Sequence, residues 1–191
     1  MISNKEDYHR YLEQDRIALK CKTRHPRPFV DEIWKFQILL RKVEYYINCK
    51  TGLFNAVIRK YYKLRFHRLS VKLGFTIAPN VFEEGLSIGH YGMIVVHANA
   101  HVGKNCRILE GVNIGAKNGS QNAAVIGNNC YIGSGAKIIG EITIADDVAI
   151  GAGAVVTKDI IEPGTTWAGV PARKISDNDS HRSLNPALFG G

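Results

Sequence analysis

Three of the seven histidines fall within twelve positions: His90, His97 and His101. An imidazole is near its pKa at neutral pH, so it can take a proton from a hydroxyl or ligate zinc through a ring nitrogen. His97 and His101 have the i,i+4 spacing of a helical zinc pair, but "HANAH" lacks the glutamate of the HExxH motif. His90 stands between Gly89 and Tyr91 in "IGHYG". Which chemistry is open to the three depends on the backbone that carries them.

That backbone has a period of six. Stepping from Val102 gives Ile108, Ile114, Ser120, Ile126, Ile132, Ile138, Ile144, Ile150 and Val156. Nine of these ten are Ile or Val, where a chain with about a fifth of those residues would place about two. Gly103, Gly115, Gly127, Gly133 and Gly151 follow the apolar slot, and small residues such as Cys106, Cys130, Ala136 and Ala154 stand two places before it. Six residues of helix turn through about 600°, so no helix keeps one face at this period. A strand that turns a corner every six residues does: the branched residue points inward and glycine relieves the bend. Three sides make an 18-residue coil, and stacked coils pair like parallel strands about 4.8 Å apart. The expectation is a mainly β chain built on a parallel β-helix of triangular section over residues 75–175. On a bent strand the i,i+4 pairing of His97 and His101 is lost, so no metal is expected.

The coils must be preceded by something else. Over residues 29–50, Ile33, Phe36, Leu40, Val43 and Ile47 recur at helical spacing. Residues 3–20 open on the spacing of a capping box, Ser3 with Glu6, and residues 53–74 end at Gly74, a helix-stop residue. Residues 1–74 are therefore expected to be a small α-helical region, and 176–191 a C-terminal tail. The net charge of +8 is uneven: residues 1–74 hold 17 Lys and Arg against 7 Asp and Glu, and residues 75–191 hold 8 against 10. The basic helices suit an anionic lipid surface or a solvated face. No aromatic–basic RNA motif appears, so nucleic acid is not an expected partner. The polar N-terminus, the lack of a long apolar run and four cysteines in no metal or disulfide pattern point to the cytoplasm.

The repeats "IGNNCY IGSGAK IIGEIT IADDVA IGAGAV VTKD", closed by "PGTTWAGVPARKI", resemble the hexapeptide-repeat acyltransferases. Within them, "GHYGMIVV" at the start and "ILEGVNIG" about one coil later are most similar to the serine acetyltransferase-like group, which includes members that O-acetylate bacterial surface polysaccharides. The resemblance implies a left-handed β-helix and a homotrimer with active sites between subunits. It implies transfer of acetyl from acetyl-CoA to a hydroxyl, with His90 as general base. It places the CoA groove at Gly115, Ala116, Ser134, Ala152, Lys158 and Arg173. His97 and Asn122 would line the acceptor cleft. An 18-residue coil sets position 108 beside 90, so Glu110 is the expected orienting partner of His90, with Glu83 and Glu84 as alternatives.

The chain departs from serine acetyltransferases where those enzymes carry charge near the acceptor. Thr76 and Gly89 stand in place of two aspartates, and Asn122 and Ala123 in place of an Arg-His pair. A buried amino acid needs both its charges paired, whereas a sugar hydroxyl needs neither. The sequence therefore favours a saccharide acceptor, with serine O-acetylation as the alternative and a non-enzymatic β-helix scaffold further behind.

Overall fold

The structure, a computed structural model, describes residues 1–190. Three helices, α1 (Lys5–Ala18), α2 (Glu32–Asn48) and α3 (Leu53–Leu73), precede the coils. The coils lay their short strands on three faces. The first face is β1 (Phe75–Thr76), β3 (Ile94–Val96), β6 (Asn113–Gly115), β9 (Lys137–Ile139) and β12 (Val155–Val156). The second is β4 (His101–Val102), β7 (Val125–Ile126) and β10 (Thr143–Ile144). The third is β2 (Ser87–Ile88), β5 (Arg107–Ile108), β8 (Tyr131–Ile132), β11 (Ala149–Ile150), β13 (Thr166–Ala168) and the antiparallel β14 (Arg173–Ser176). This is the left-handed parallel β-helix, preceded by helices, that the resemblance implied.

The nine branched residues of the hexad line the inside, each at most 2 % exposed. Ser120 is the exception, and it lies exposed in the loop between β6 and β7. That connection takes twelve residues from Ile114 to Ile126 instead of six, so pairs across it are offset by 24, as Asn113 with Lys137, instead of 18, as Val155 with Lys137. The insertion equals one hexad, which is why the period runs through it unbroken.

The corners differ from the expected division of labour. The left-handed backbone falls three places after the apolar slot, at Asn105, Gly111, Asn129, Gly135, Asp147 and Gly153. Gly135 (φ 70°) takes that conformation without steric cost. The glycines directly after the slot serve a different need. At Gly133 a Cβ would stand 2.7 Å from the Ala152 nitrogen of the next coil, so the residue is small because coils touch there, not because the chain bends. On the opposite corner the left-handed residues form a ladder. Asn105 donates to Asn129 at 2.9 Å, and Asn129 to Asp147 at 2.9 Å.

The helices dock through one buried cluster. Phe36, Leu40 and Val43 of α2 join the core of the coils. Between them and the first coil lies Arg41, fully buried. Its Nε donates to Asp15 of α1 at 2.8 Å, Nη1 to Glu44 at 3.0 Å and to the Phe82 carbonyl at 2.7 Å, and Nη2 to Asp15 at 3.2 Å and to the Glu83 carbonyl at 2.7 Å. Asp15 in turn accepts the N–H groups of Gly85 and Leu86, both at 2.9 Å. The start of α1 corrects the expected capping box: Asn4 is the cap, accepting the Asp7 N–H at 2.7 Å, and Ser3 donates to Asp7 instead. Gly74, with φ 77°, closes α3 as expected.

Replacing Arg41 by Met leaves Asp15 and Glu44 buried without their cation. The expected loss is about 3–5 kcal/mol of stability in urea unfolding. A loss below about 1 kcal/mol would mean that the cluster does not hold the helices to the coils.

Candidate active site

His90 lies on the corner between the third and first faces, just after β2. The pairing of Ile88 with Ile108, and the Gly89 N–H bond to the Ile108 carbonyl at 3.0 Å, set an offset of 20 residues here. The expected 18 is therefore corrected: the step from Ile88 to the next inward slot, Val96, is two residues longer than a hexad. As a result, position 110 rather than 108 stands beside 90, which brings Glu110 closer than the even coil implied.

The Glu110 side chain lies against Gly92, where a Cβ would approach the Glu110 Cβ to 3.0 Å. Gly92 also has φ 132°, which a side chain rarely adopts. One Glu110 carboxylate oxygen accepts the Ser134 hydroxyl, and the other, Oε2, is buried without a partner. The Ser134 hydroxyl, then the Glu110 backbone and the charge of His90, hold the carboxyl below the ordinary carboxylate range. No hydrogen bond joins Glu110 to His90 in this structure. The His90 ring itself is exposed. Glu83 and Glu84, the alternatives, are engaged elsewhere: Glu83 binds the N-terminal ammonium at 2.7 Å and Glu84 binds Arg10 at 2.6 Å.

His97 sits on the corner between the first and second faces. Its Nδ1 accepts the Asn99 N–H at 3.2 Å, which makes Nε2 the protonated nitrogen of the neutral ring. Asn99 bonds the Gln121 carbonyl at 2.7 Å and Asn122 bonds Glu141 at 2.9 Å, so His97 and Asn122 share that corner and its loop. Within one chain they stand across the first face from His90. His101 points outward from β4, on the second face. Among the described residues no three His, Cys, Asp or Glu side chains stand close enough to hold a metal ion.

The residues expected to hold CoA divide in the same way. Ser134 and Ala152 stack below Glu110 on the His90 corner, with Ser134 spent on Glu110. Gly115, Ala116 and Lys158 lie on the other side of the first face. Lys158 and Arg173 meet in one cleft of about 230 Å³ with Trp167 and Pro171. Neither cation pairs with a carboxylate among the described residues, so both are available to phosphate oxygens.

Two neighbours of His90 were not anticipated. The Arg107 guanidinium lies 3.7 Å from where a Gly89 Cβ would stand, and pairs with no carboxylate among the described residues. Its only sequence signal is its place directly before inward slot 108, which turns it outward beside Ser87. The Tyr91 hydroxyl donates to the Val30 carbonyl at 3.1 Å, tying the loop before α2 to the corner that carries His90.

Known proteins share the fold. The family model "Bacterial transferase hexapeptide (six repeats)" matches residues 123–158. A serine acetyltransferase of Synechococcus elongatus is 34% identical over 116 residues, covering 59% of this chain and 47% of that enzyme. The crystal structure of serine acetyltransferase from Brucella abortus strain S19 superposes with a TM-score of 0.71 at 27% identity, covering 92% of this chain and 72% of that one. The same enzyme in complex with coenzyme A gives a TM-score of 0.69 at 27% identity, covering 91% and 70%. The chain spans about half or less of the length of the first sequence relatives it matches.

Ser134→Ala removes the donor that steadies Glu110. The carboxyl pKa is then expected to rise toward its usual value, measured by NMR titration of the Glu110 side-chain carbon. An unchanged value would mean that the Ser134 hydroxyl does not hold the carboxylate in solution.

Proposed function

We propose, from its place among the hexapeptide-repeat proteins of the serine acetyltransferase-like group, that this chain is an acetyl-CoA-dependent O-acetyltransferase. The observation that carries the reading is the exposed His90 on a corner where a 20-residue coil sets Glu110 beside it. The acceptor hydroxyl gives its proton to His90 as its oxygen attacks the thioester carbonyl. The tetrahedral adduct collapses, the carbon–sulfur bond breaks, and the departing thiolate takes the proton back from the imidazolium. Glu110 favours the imidazolium while it exists, since an opposite charge nearby stabilises the charged ring. Lys158 and Arg173 meet the phosphates of CoA, and the small corner residues let the pantetheine arm lie along the coils. His97 and Asn122, across the first face from His90 in one chain, join it when a neighbouring copy in a trimer presents that corner.

The relatives are serine acetyltransferases, and this favours L-serine as acceptor over the saccharide that the sequence favoured. Arg107, unpaired beside Gly89, is suited to the carboxylate of an amino acid, a group missing from the expected site. A sugar hydroxyl is the second reading. It is supported by the uncharged residues Thr76, Gly89, Asn122 and Ala123 where serine enzymes carry charge.

His90→Ala is expected to lower turnover by about 10²–10⁴ while CoA binding, followed by calorimetry, persists. Retention of more than about a third of wild-type turnover would move the base elsewhere. A panel of L-serine and sugars separates the acceptors, and Arg107→Gln adds a second readout. If serine is the substrate, this variant raises its KM by roughly tenfold or more, the worth of a charged hydrogen bond. An unchanged KM for serine would remove Arg107 from acceptor binding.

A further inference from the structure

The outer side of the helical region carries charge and apolar surface that catalysis does not use. A groove of about 490 Å³ runs between α2 and α3. Lys35, Lys42, Arg65, Arg68 and Lys72 line it, against the single carboxylate of Glu32. Glu32 is shared between Lys35 at 2.9 Å and Lys72 at 3.2 Å. Lys42, Arg65 and Arg68 pair with no carboxylate among the described residues. Lys42 lies over the Tyr62 ring at 4.8 Å and Arg65 over Tyr61 at 5.8 Å, contacts that hold the cations in place without neutralising them.

Beside this groove, α3 shows its apolar residues to water. Leu53 is 90% exposed, Phe54 78%, Val71 69%, Val57 68% and Leu64 50%. At 100° per residue, Leu53, Val57, Leu64 and Val71 fall within about 40° of one another, on the flank next to Arg68. Leu53, Phe54, Val57, Ile58, Leu64, Phe66, Leu69, Val71 and Leu73 make the apolar set of α3 too wide for one packed stripe. The fold buries Phe66 and Leu73 and leaves this second stripe uncovered.

We infer that this face of α2 and α3 docks on an anionic phospholipid surface. The exposed stripe of α3 enters the boundary between headgroups and acyl chains, and the groove cations meet headgroup phosphates. Charge complementarity selects the occupant. An interfacial helix combines an apolar side with flanking Lys and Arg in this manner. Pairing of the face with itself in a second copy would set the five groove cations against five more. No helix among the described residues is long and apolar enough to cross a membrane, so the association is peripheral. Docking also orients the catalytic corner. Gly74, at the end of α3, receives the Ile94 N–H at 3.0 Å and packs on Gly92 and Met93, next to His90. The inference does not depend on which acceptor is used.

The experiment is sedimentation of the full chain with vesicles of phosphatidylglycerol and phosphatidylcholine, or of phosphatidylcholine alone, at low and high salt. The wild type is expected to pellet with the anionic vesicles at low salt, to be released by high salt, and to ignore the neutral vesicles. The Lys42→Gln, Arg65→Gln, Arg68→Gln variant is expected to lose partitioning on the order of 100-fold. Leu53→Ser with Val57→Ser, at positions that pack on little else, is expected to weaken binding while keeping the far-ultraviolet dichroism. Wild type that stays in the supernatant with anionic vesicles at low salt overturns the inference, as does undiminished binding of the triple variant. If the Leu53/Val57 variant instead changes the mass of the assembly and leaves vesicle binding alone, the stripe is a contact between copies and the inference fails.

Discussion

Arg41 is the constraint around which the two parts of the molecule are arranged. A buried guanidinium is tolerated only where its charge is matched and its donors are used. Here all five N–H groups find oxygen: two from Asp15, one from Glu44 and two from the backbone carbonyls of Phe82 and Glu83. The carbonyls belong to the corner between the Phe82–Val102 bridge and β2, where they take no partner from the neighbouring coil. Asp15 answers the N–H groups of Gly85 and Leu86 in the same stretch. The helices thus cap the open end of the β-helix with side chains that stand in for a missing coil.

That cap bears on the site because the first coil is irregular. The eight-residue step from Ile88 to Val96 turns the regular offset of 18 into 20 and sets Glu110 against Gly92 beside His90. An even coil would have put Ile108 there, with an inward side chain. Gln37 of α2 holds this stretch from the other side, donating to the Leu86 carbonyl at 2.7 Å and accepting the Ile88 N–H at 3.3 Å. Tyr91 adds its bond to the Val30 carbonyl. The helical region therefore steadies the chain on both sides of the histidine.

The deeper coils show what a regular stack does with reactive groups. Cys130 points inward, and burial pushes its thiol up to about 12, so it is a packing residue without nucleophilic character. Lys158 and Arg173, by contrast, stay outside because the chain leaves the hexad after Val156 and returns antiparallel through β14. Where the repeat is strict the residues serve the core. The groups with chemical potential collect where it breaks: the long first coil, the inserted loop and the closing turn.

The sequence by itself determined the β-helix. A period of six in branched residues survives only on a strand that turns at that interval, and the inserted loop kept the count because it is one hexad long. It also determined the helical start, since apolar spacing at α2 has one packing solution, and its resemblance to the hexapeptide-repeat acyltransferases pointed to His90. The tertiary structure decided what stands next to what. The choice of Glu110 over Glu83 and Glu84 depends on a two-residue excess in one coil and on Arg10 and the N-terminus occupying the other two. The role of the corner glycines depends on how closely coils touch, and the left-handed positions fall to Asn and Asp as often as to Gly on the corners that use them, a pattern that composition does not reveal. Arg107 was invisible for the same reason: an outward residue before an inward slot looks like any other until the coils stack and bring its guanidinium beside Gly89. Periodicity is a local property of the chain and can be read along it. Neighbours across coils are set by the exact length of each turn, and that length is fixed only when the coils close on one another.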